Sequence, residues 1–163
     1  MIKDNSQNYP EGLSFDIIGI QECQCNRYPM LFVDKVDKVF PGKSARGQKC
    51  FTFNEWFFPT HYEDDPNVPG FIQVECLVQT FIMTFLSMDE YKGKKTSFVK
   101  IDNVSFKRKI IPGDTLEIHS DLVRFKRGIA SGNSISYVNG ELACTADFIV
   151  AIPDILDLFK PSS

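Results

Sequence analysis

Between Phe71 and Glu90 the chain reads FIQVECLVQTFIMTFLSMDE, and no other stretch limits the fold so severely. Pro69 and Gly70 precede the run and Gly93 lies just past it, which is the punctuation of a helix. Its β-branched residues would permit a strand, but the length of the run and its flanks decide for a helix over 71–90. Apolar side chains stand at Phe71, Ile72, Val74, Cys76, Leu77, Val78, Phe81, Ile82, Met83, Phe85 and Leu86, so they occupy every side of that helix. A helix without a polar face has to be enclosed by the rest of the protein.

The flanking sequence supplies the enclosure. MLFVDKVDKVF, Met30 to Phe40, mixes β-branched and aromatic residues with charges and stops at Pro41-Gly42, as a strand and turn would; SARGQKCFTF follows as its antiparallel neighbour. After the helix come SFVKIDNVSFKRKII, DTLEIHSDLVRFK, GNSISYV and ELACTADFIVAI, punctuated by Pro112-Gly113, Gly128 and Asn139-Gly140, the last a strong hairpin signal. A meander of strands can bury one helix only by curling around it. The expectation is therefore an α+β protein, one long buried central helix wrapped by a curved antiparallel β-sheet. With 163 residues the chain is one domain, its core over 27–152, with a loose N-terminal segment and a short tail, PDILDLFKPSS, as a surface turn or helix.

Charge and composition narrow the function. Eighteen Lys and Arg against 21 Asp and Glu give a net charge of -3, which argues against a generic nucleic-acid binder. No apolar segment has signal-peptide or bilayer-spanning character, so a cytoplasmic protein without membrane insertion is expected. Cys23 and Cys25 form a C-x-C, but no second C-x-x-C or His pair completes a tetrahedral set; the five cysteines read as reduced thiols and no metal is expected. Fifteen phenylalanines exceed what such a core needs, which suggests an apolar cavity or an oligomer interface as well.

Chemistry concentrates around NEWFFPTHYEDDPNVPG, a seventeen-residue stretch of no consistent period that reads as a long functional loop. It carries His61, and the helix it leads into carries Glu75 with Gln79 four residues on, on the same face. Taken alone, Glu75 is equally accounted for by a backbone N–H or lysine within reach, and His61 by a solvated loop position. Together they form a base near neutrality facing a carboxyl group whose pKa burial should raise. The helix start at Pro69-Gly70 adds unpaired N–H groups and the positive end of a dipole, suited to a developing oxyanion.

NEWFFPTHYEDDPNVPGFIQVECLVQ resembles the catalytic segment of the 3-hydroxyacyl-acyl-carrier-protein dehydratases, a hot-dog-fold family whose motif runs roughly N-E-x-F-F-x-G-H-F-P-x-x-P-x-x-P-G-x-x-x-x-E-x-x-x-Q. Asn54, Glu55, Phe57, Phe58, His61, Pro66, Pro69, Gly70, Glu75 and Gln79 fall on motif positions without a gap. NRYPMLFVDKV and VSFKRKIIPGDTLEI resemble two further family segments, so the likeness spans most of Arg27 to Ile152. The departures are Asn26 for histidine, Thr60 for glycine, Tyr62-Glu63 for Phe-Pro and Lys109 for proline.

The resemblance implies a hot-dog fold and removal of water from a 3-hydroxyacyl thioester to give the trans-2-enoyl thioester. His61 and Glu75 would be the catalytic pair, the Gly70 N–H would polarise the thioester carbonyl, and Gln79 would orient Glu75. It further implies no cofactor, a substrate carried on the phosphopantetheine of acyl carrier protein or on CoA, and a homodimer, or a trimer of such dimers, with active sites shared between chains. An acyl thioesterase and a degenerate acyl-binding homologue stand as alternatives. Phe71, Phe81 and Phe85 either line an acyl tunnel or fill the core. Lys107, Arg108, Lys126 and Arg127 concentrate positive charge in two segments that could lie together and dock the carrier, or be two solvated strand ends.

Overall fold

In the computed structural model, which describes residues 11–159, the elements run β1 (Leu13–Phe15), α1 (Ile17–Cys23), β2 (Lys35–Phe40), β3 (Ser44–Cys50), α2 (Phe58–His61), α3 (Gly70–Leu86), β4 (Ser97–Phe106), β5 (Thr115–Lys126), β6 (Ile129–Val138), β7 (Glu141–Ala151) and α4 (Pro153–Asp157). Seven strands form one sheet in the order β1-β2-β3-β5-β6-β7-β4, every neighbouring pair antiparallel. From Cys76 to Leu86 every residue of α3 is buried, so the enclosure covers three turns on all sides. Each large apolar side chain removed from water there contributes about 1.5–3 kcal/mol. The two threonines of α3 are satisfied locally: Thr80 Oγ1 donates to the Cys76 carbonyl at 3.1 Å and Thr84 Oγ1 to that of Phe81 at 2.7 Å.

The sheet touches the helix where side chains vanish. A Cβ on Gly47 of β3 would collide with the Thr80 side chain, and one on Gly132 of β6 with the Phe81 ring and the Asp121 carbonyl. Only glycine permits so close an approach of strand to helix.

The structure corrects several expectations. The loose N-terminal segment is ordered from Leu13: β1 pairs with β2, and α1, capped by the Asp16 carboxylate accepting from the Gly19 N–H at 2.9 Å, buries Ile20 and Cys23 in the core. Positions 1–10 and 160–163 of the expected segment and tail lie outside the described residues. The strand expected from Met30 is β2 and begins at Lys35. The central helix stops at Leu86 because the chain there leaves the enclosure for polar, exposed Asp89 and Glu90.

The two basic segments do not lie together. Phe106, beside Lys107 and Arg108, is level with Cys144 on β7, whereas Lys126 pairs with Ile129, which is level with Ala151. Seven residues of extended strand separate those levels, about 23 Å. Arg108 is moreover engaged by Glu141 at 2.9 Å and Asp114 at 3.4 Å.

Candidate active site

The loop that carries His61 is pinned at both ends. At its start Phe57 and Phe58 are buried, with Phe57 edge-on to Phe51 at 6.1 Å. Beside them Glu55 pairs with Lys49, whose side chain is only 8% exposed and which also lies 3.5 Å from Asp34. Burial works to lower the Lys49 pKa, but the Glu55 hydrogen bond and the charges of Asp34 and Glu55 outweigh it and raise the value above the ordinary lysine range. Within the loop, which is not wholly irregular as expected, Pro59 sits at the start of the short helix α2 and Thr60 Oγ1 bonds back to the Trp56 and Phe57 carbonyls. At its far end the Val68 N–H donates to the Ile110 carbonyl at 2.9 Å, and Asp65 pairs with Lys109. Two departures from the family pattern thus fit local structure: Thr60 closes a helical turn, and Lys109 neutralises an acid of the loop.

His61 Nδ1 lies 3.0 Å from the Asn67 carbonyl oxygen. A carbonyl can only accept, so Nδ1 carries the proton and Nε2 presents a lone pair in the neutral ring. That geometry suits acceptance of a proton at Nε2. Tyr62 covers one side of the imidazole, with ring centroids 4.2 Å apart.

Glu75 is held by hydrogen bonds of its own. Gln79 Nε2 donates to Glu75 Oε1 at 2.8 Å and to the Met30 carbonyl at 2.6 Å, while Gln79 Oε1 accepts from the Phe32 N–H at 2.9 Å. The Phe32 bond fixes which end of the amide faces Glu75, so it is the Gln79 NH2 group that meets the carboxyl group. Asn26 Nδ2 is a second, longer donor to Oε1 at 3.4 Å, a contact that the sequence did not announce. Burial pushes the Glu75 pKa up, and the Gln79 bond opposes it only in part. The carboxyl group opens into a cavity of about 180 Å³ walled by Val78, Ile82, Phe98 and Val150 together with the polar Asn26 and Thr96.

Gly70 begins α3 after Pro69, and the first N–H groups of a helix have no carbonyl one turn back to receive them. A Cβ there would sit 2.9 Å from the Phe106 ring, so glycine lets β4 close over the helix start.

Other sequence-predicted residues fall elsewhere. His61 is not among the residues that wall the Glu75 cavity. Phe81 and Phe85 are fully buried, packed on each other and on Phe148 and Phe125, whereas Phe71 is 63% exposed. Lys126 and Arg127 border a groove of about 590 Å³ with Arg124, Ile129, Ile149 and Phe159, away from Lys107 and Arg108. All five cysteines are free thiols, with Cys25 and Cys50 exposed, and no group of three or more metal-ligating side chains occurs among the described residues. No helix of the described residues is long and apolar enough to cross a membrane.

The architecture recurs in solved structures. The dehydratase heterocomplex ApeI:P from Xenorhabdus doucetiae matches with a TM-score of 0.72 at 13% identity, covering 87% of this chain and 97% of that one. The E. coli PaaI protein from the phenylacetic acid degradation operon matches at 0.54 and 10%, covering 68% and 77%. Likeness at such identities defines the class alone, the hot-dog fold. Sequence carries further. Residues 25–147 match the FabA-like domain. The 3-hydroxyacyl-[acyl-carrier-protein] dehydratase FabZ of Clostridium novyi (strain NT) is 41% identical over 140 residues, 86% of this chain and 99% of that protein. The dehydratase of the same name from Bacillus cereus (strain AH820) is 41% identical over 139 residues, 85% and 96%. The chain belongs to the FabA-like family.

Proposed function

We propose that the protein is a 3-hydroxyacyl-thioester dehydratase of fatty acid or related acyl-chain biosynthesis, acting through His61 and Glu75. The single observation that carries the assignment of roles is the fixed geometry of the two groups. One imidazole nitrogen is tied to a carbonyl and the other left free; one carboxyl oxygen is held by Gln79 at a small cavity where burial favours the protonated form. His61 Nε2 removes the C2 proton, the charge moving onto the thioester oxygen is met by the Gly70 N–H, and the C3–O bond breaks as Glu75 gives its proton to the departing hydroxyl. Water and the enoyl thioester leave, and the proton on His61 returns to Glu75 through solvent. An acid, a base and a dipole complete this chemistry without a cofactor.

The reading takes the chain as one hot-dog domain whose sites are shared within a homodimer. Its support is that His61 does not line the Glu75 cavity, together with the state of β4. This strand is one edge of the sheet, is ten residues long, and exposes Phe98, Val99, Ile101, Val104 and Phe106. A long apolar edge guarded by little more than Lys100 and Asp102 is an aggregation hazard unless a copy covers it. For the carrier, the Arg124, Lys126 and Arg127 groove replaces the four-residue patch: it sets cations over apolar side chains, which fits the phosphopantetheine of an acidic carrier protein, or CoA. The setting proposed is the cytoplasm.

Purified protein incubated with crotonyl and 3-hydroxybutyryl thioesters of both acyl carrier protein and CoA, with products separated, tests the reading. Interconversion of the two acyl groups is expected; free acid as the main product would establish a thioesterase, and neither product a binding homologue.

A further inference from the structure

Gln73 is a polar residue inside the apolar helix that no part of the mechanism uses. It lies in the first turns of α3, is 5% exposed, and is fixed by one bond from Nε2 to the Val68 carbonyl at 3.2 Å. Its Oε1 is buried with no hydrogen-bond partner among the described residues. An acceptor taken from water and given nothing in return is a liability that an apolar side chain of the same length would avoid. Stability therefore does not account for a glutamine at this position.

The Val68 carbonyl supplies the reason. Two peptide planes flank Val68. The first contains the Asn67 carbonyl, which holds His61 Nδ1, and the Val68 N–H, which donates to Ile110. The second contains the Val68 carbonyl and the nitrogen of Pro69, which has no N–H to give. Peptide planarity leaves only the Val68 dihedrals to turn one plane against the other. Gln73 grips the second plane at its one polar atom, so it stops that rotation and fixes where the Asn67 carbonyl points. We propose that Gln73 is a positioning residue, acting through Val68 and Asn67 to set the tautomer and aim of the His61 imidazole. This rests on His61 being the base of the proposed reaction.

The variant is Gln73→Met, an unbranched apolar side chain that keeps the volume and loses both polar atoms. Three measurements on the full chain are made: thermal stability, steady-state kinetics on a 3-hydroxyacyl thioester, and the ¹⁵N shifts of the neutral His61 ring, which report its tautomer without substrate. The expected result is an unchanged or higher Tm, a kcat lower by at least about tenfold with little change in KM, and a ring that moves from the Nδ1–H form to a mixture. A ring still wholly Nδ1–H overturns the proposal, as does a redistributed ring with undiminished kcat. A Tm well below wild type in both Gln73→Met and Gln73→Leu also overturns it, because the residue would then be structural. If the wild type dehydrates nothing while the ring responds to Gln73, the proposed reaction has failed and the link between the two residues has not.

Discussion

Two side chains are asked to move protons, and each can be tested alone. His61→Ala and Glu75→Ala should each lower turnover at least about a hundredfold with the fold retained, measured as kcat beside a thermal melt; near-wild-type turnover in either folded variant removes that residue from the mechanism. Glu75 also makes a prediction about stability. Its pKa in the folded chain is raised above the ordinary glutamate value of 4.5, chiefly by burial. Folded protein therefore binds a proton that unfolded protein has released, so Glu75 contributes its stability in acid and loses it as pH rises through the raised value. Glu75→Gln keeps an acceptor for Gln79 and has no charge to bury. Its Tm should exceed the wild type at about pH 8 and converge with it below about pH 4; a gain independent of pH would show that ionisation of Glu75 is not the cause.

At the scale of elements, the loop before α3 owes its placement to an ion pair as much as to aromatic packing. Lys49 on β3 is buried against Glu55, with Asp34 farther off. Glu55→Ala should cost about 3 kcal/mol in a denaturant titration, since it leaves a buried cation with only the longer Asp34 contact, whereas Lys49→Met with Glu55→Leu should recover most of that. A loss under about 1 kcal/mol for the single change would mean that the pair is screened as a surface bridge is. This pairing was not legible in the sequence, because Lys49 reads as one more charge in an alternating strand and its burial depends on the loop folding over it. What was legible follows the same logic in reverse. The all-round apolar faces of α3 demanded a wrapping sheet whatever the details, and hairpin punctuation located most strands of it. Glu75 and Gln79 were visible because charge and amide stand out against that apolar run. Gln73 stands out equally in that run, but its meaning lies in the carbonyl it meets, which the sequence does not show. The basic segments misled because strand order, which puts them at opposite ends of β7, is not written in local pattern.

For the whole molecule the question is where one active site ends. His61 does not line the Glu75 cavity and β4 is an uncovered apolar edge, and both fit a second copy that pairs along β4 and brings its own histidine to the carboxyl group. Counting sites makes the model quantitative. In a dimer of one His61→Ala chain and one Glu75→Ala chain, one shared site lacks both groups and the other is intact. Co-expressed with different tags and purified through both, such mixed dimers should show about half the specific activity of wild type, while each parent homodimer is inactive. Sites contained within single chains would leave the mixed dimer as inactive as its parents. The same preparation weighs the edge strand: an Asp at Ile101 puts a charge into the pairing strand, so it should lower the dimer yield in size-exclusion chromatography and lower activity in proportion. Activity that survived in a monomer would break the connection between the exposed edge and the shared site.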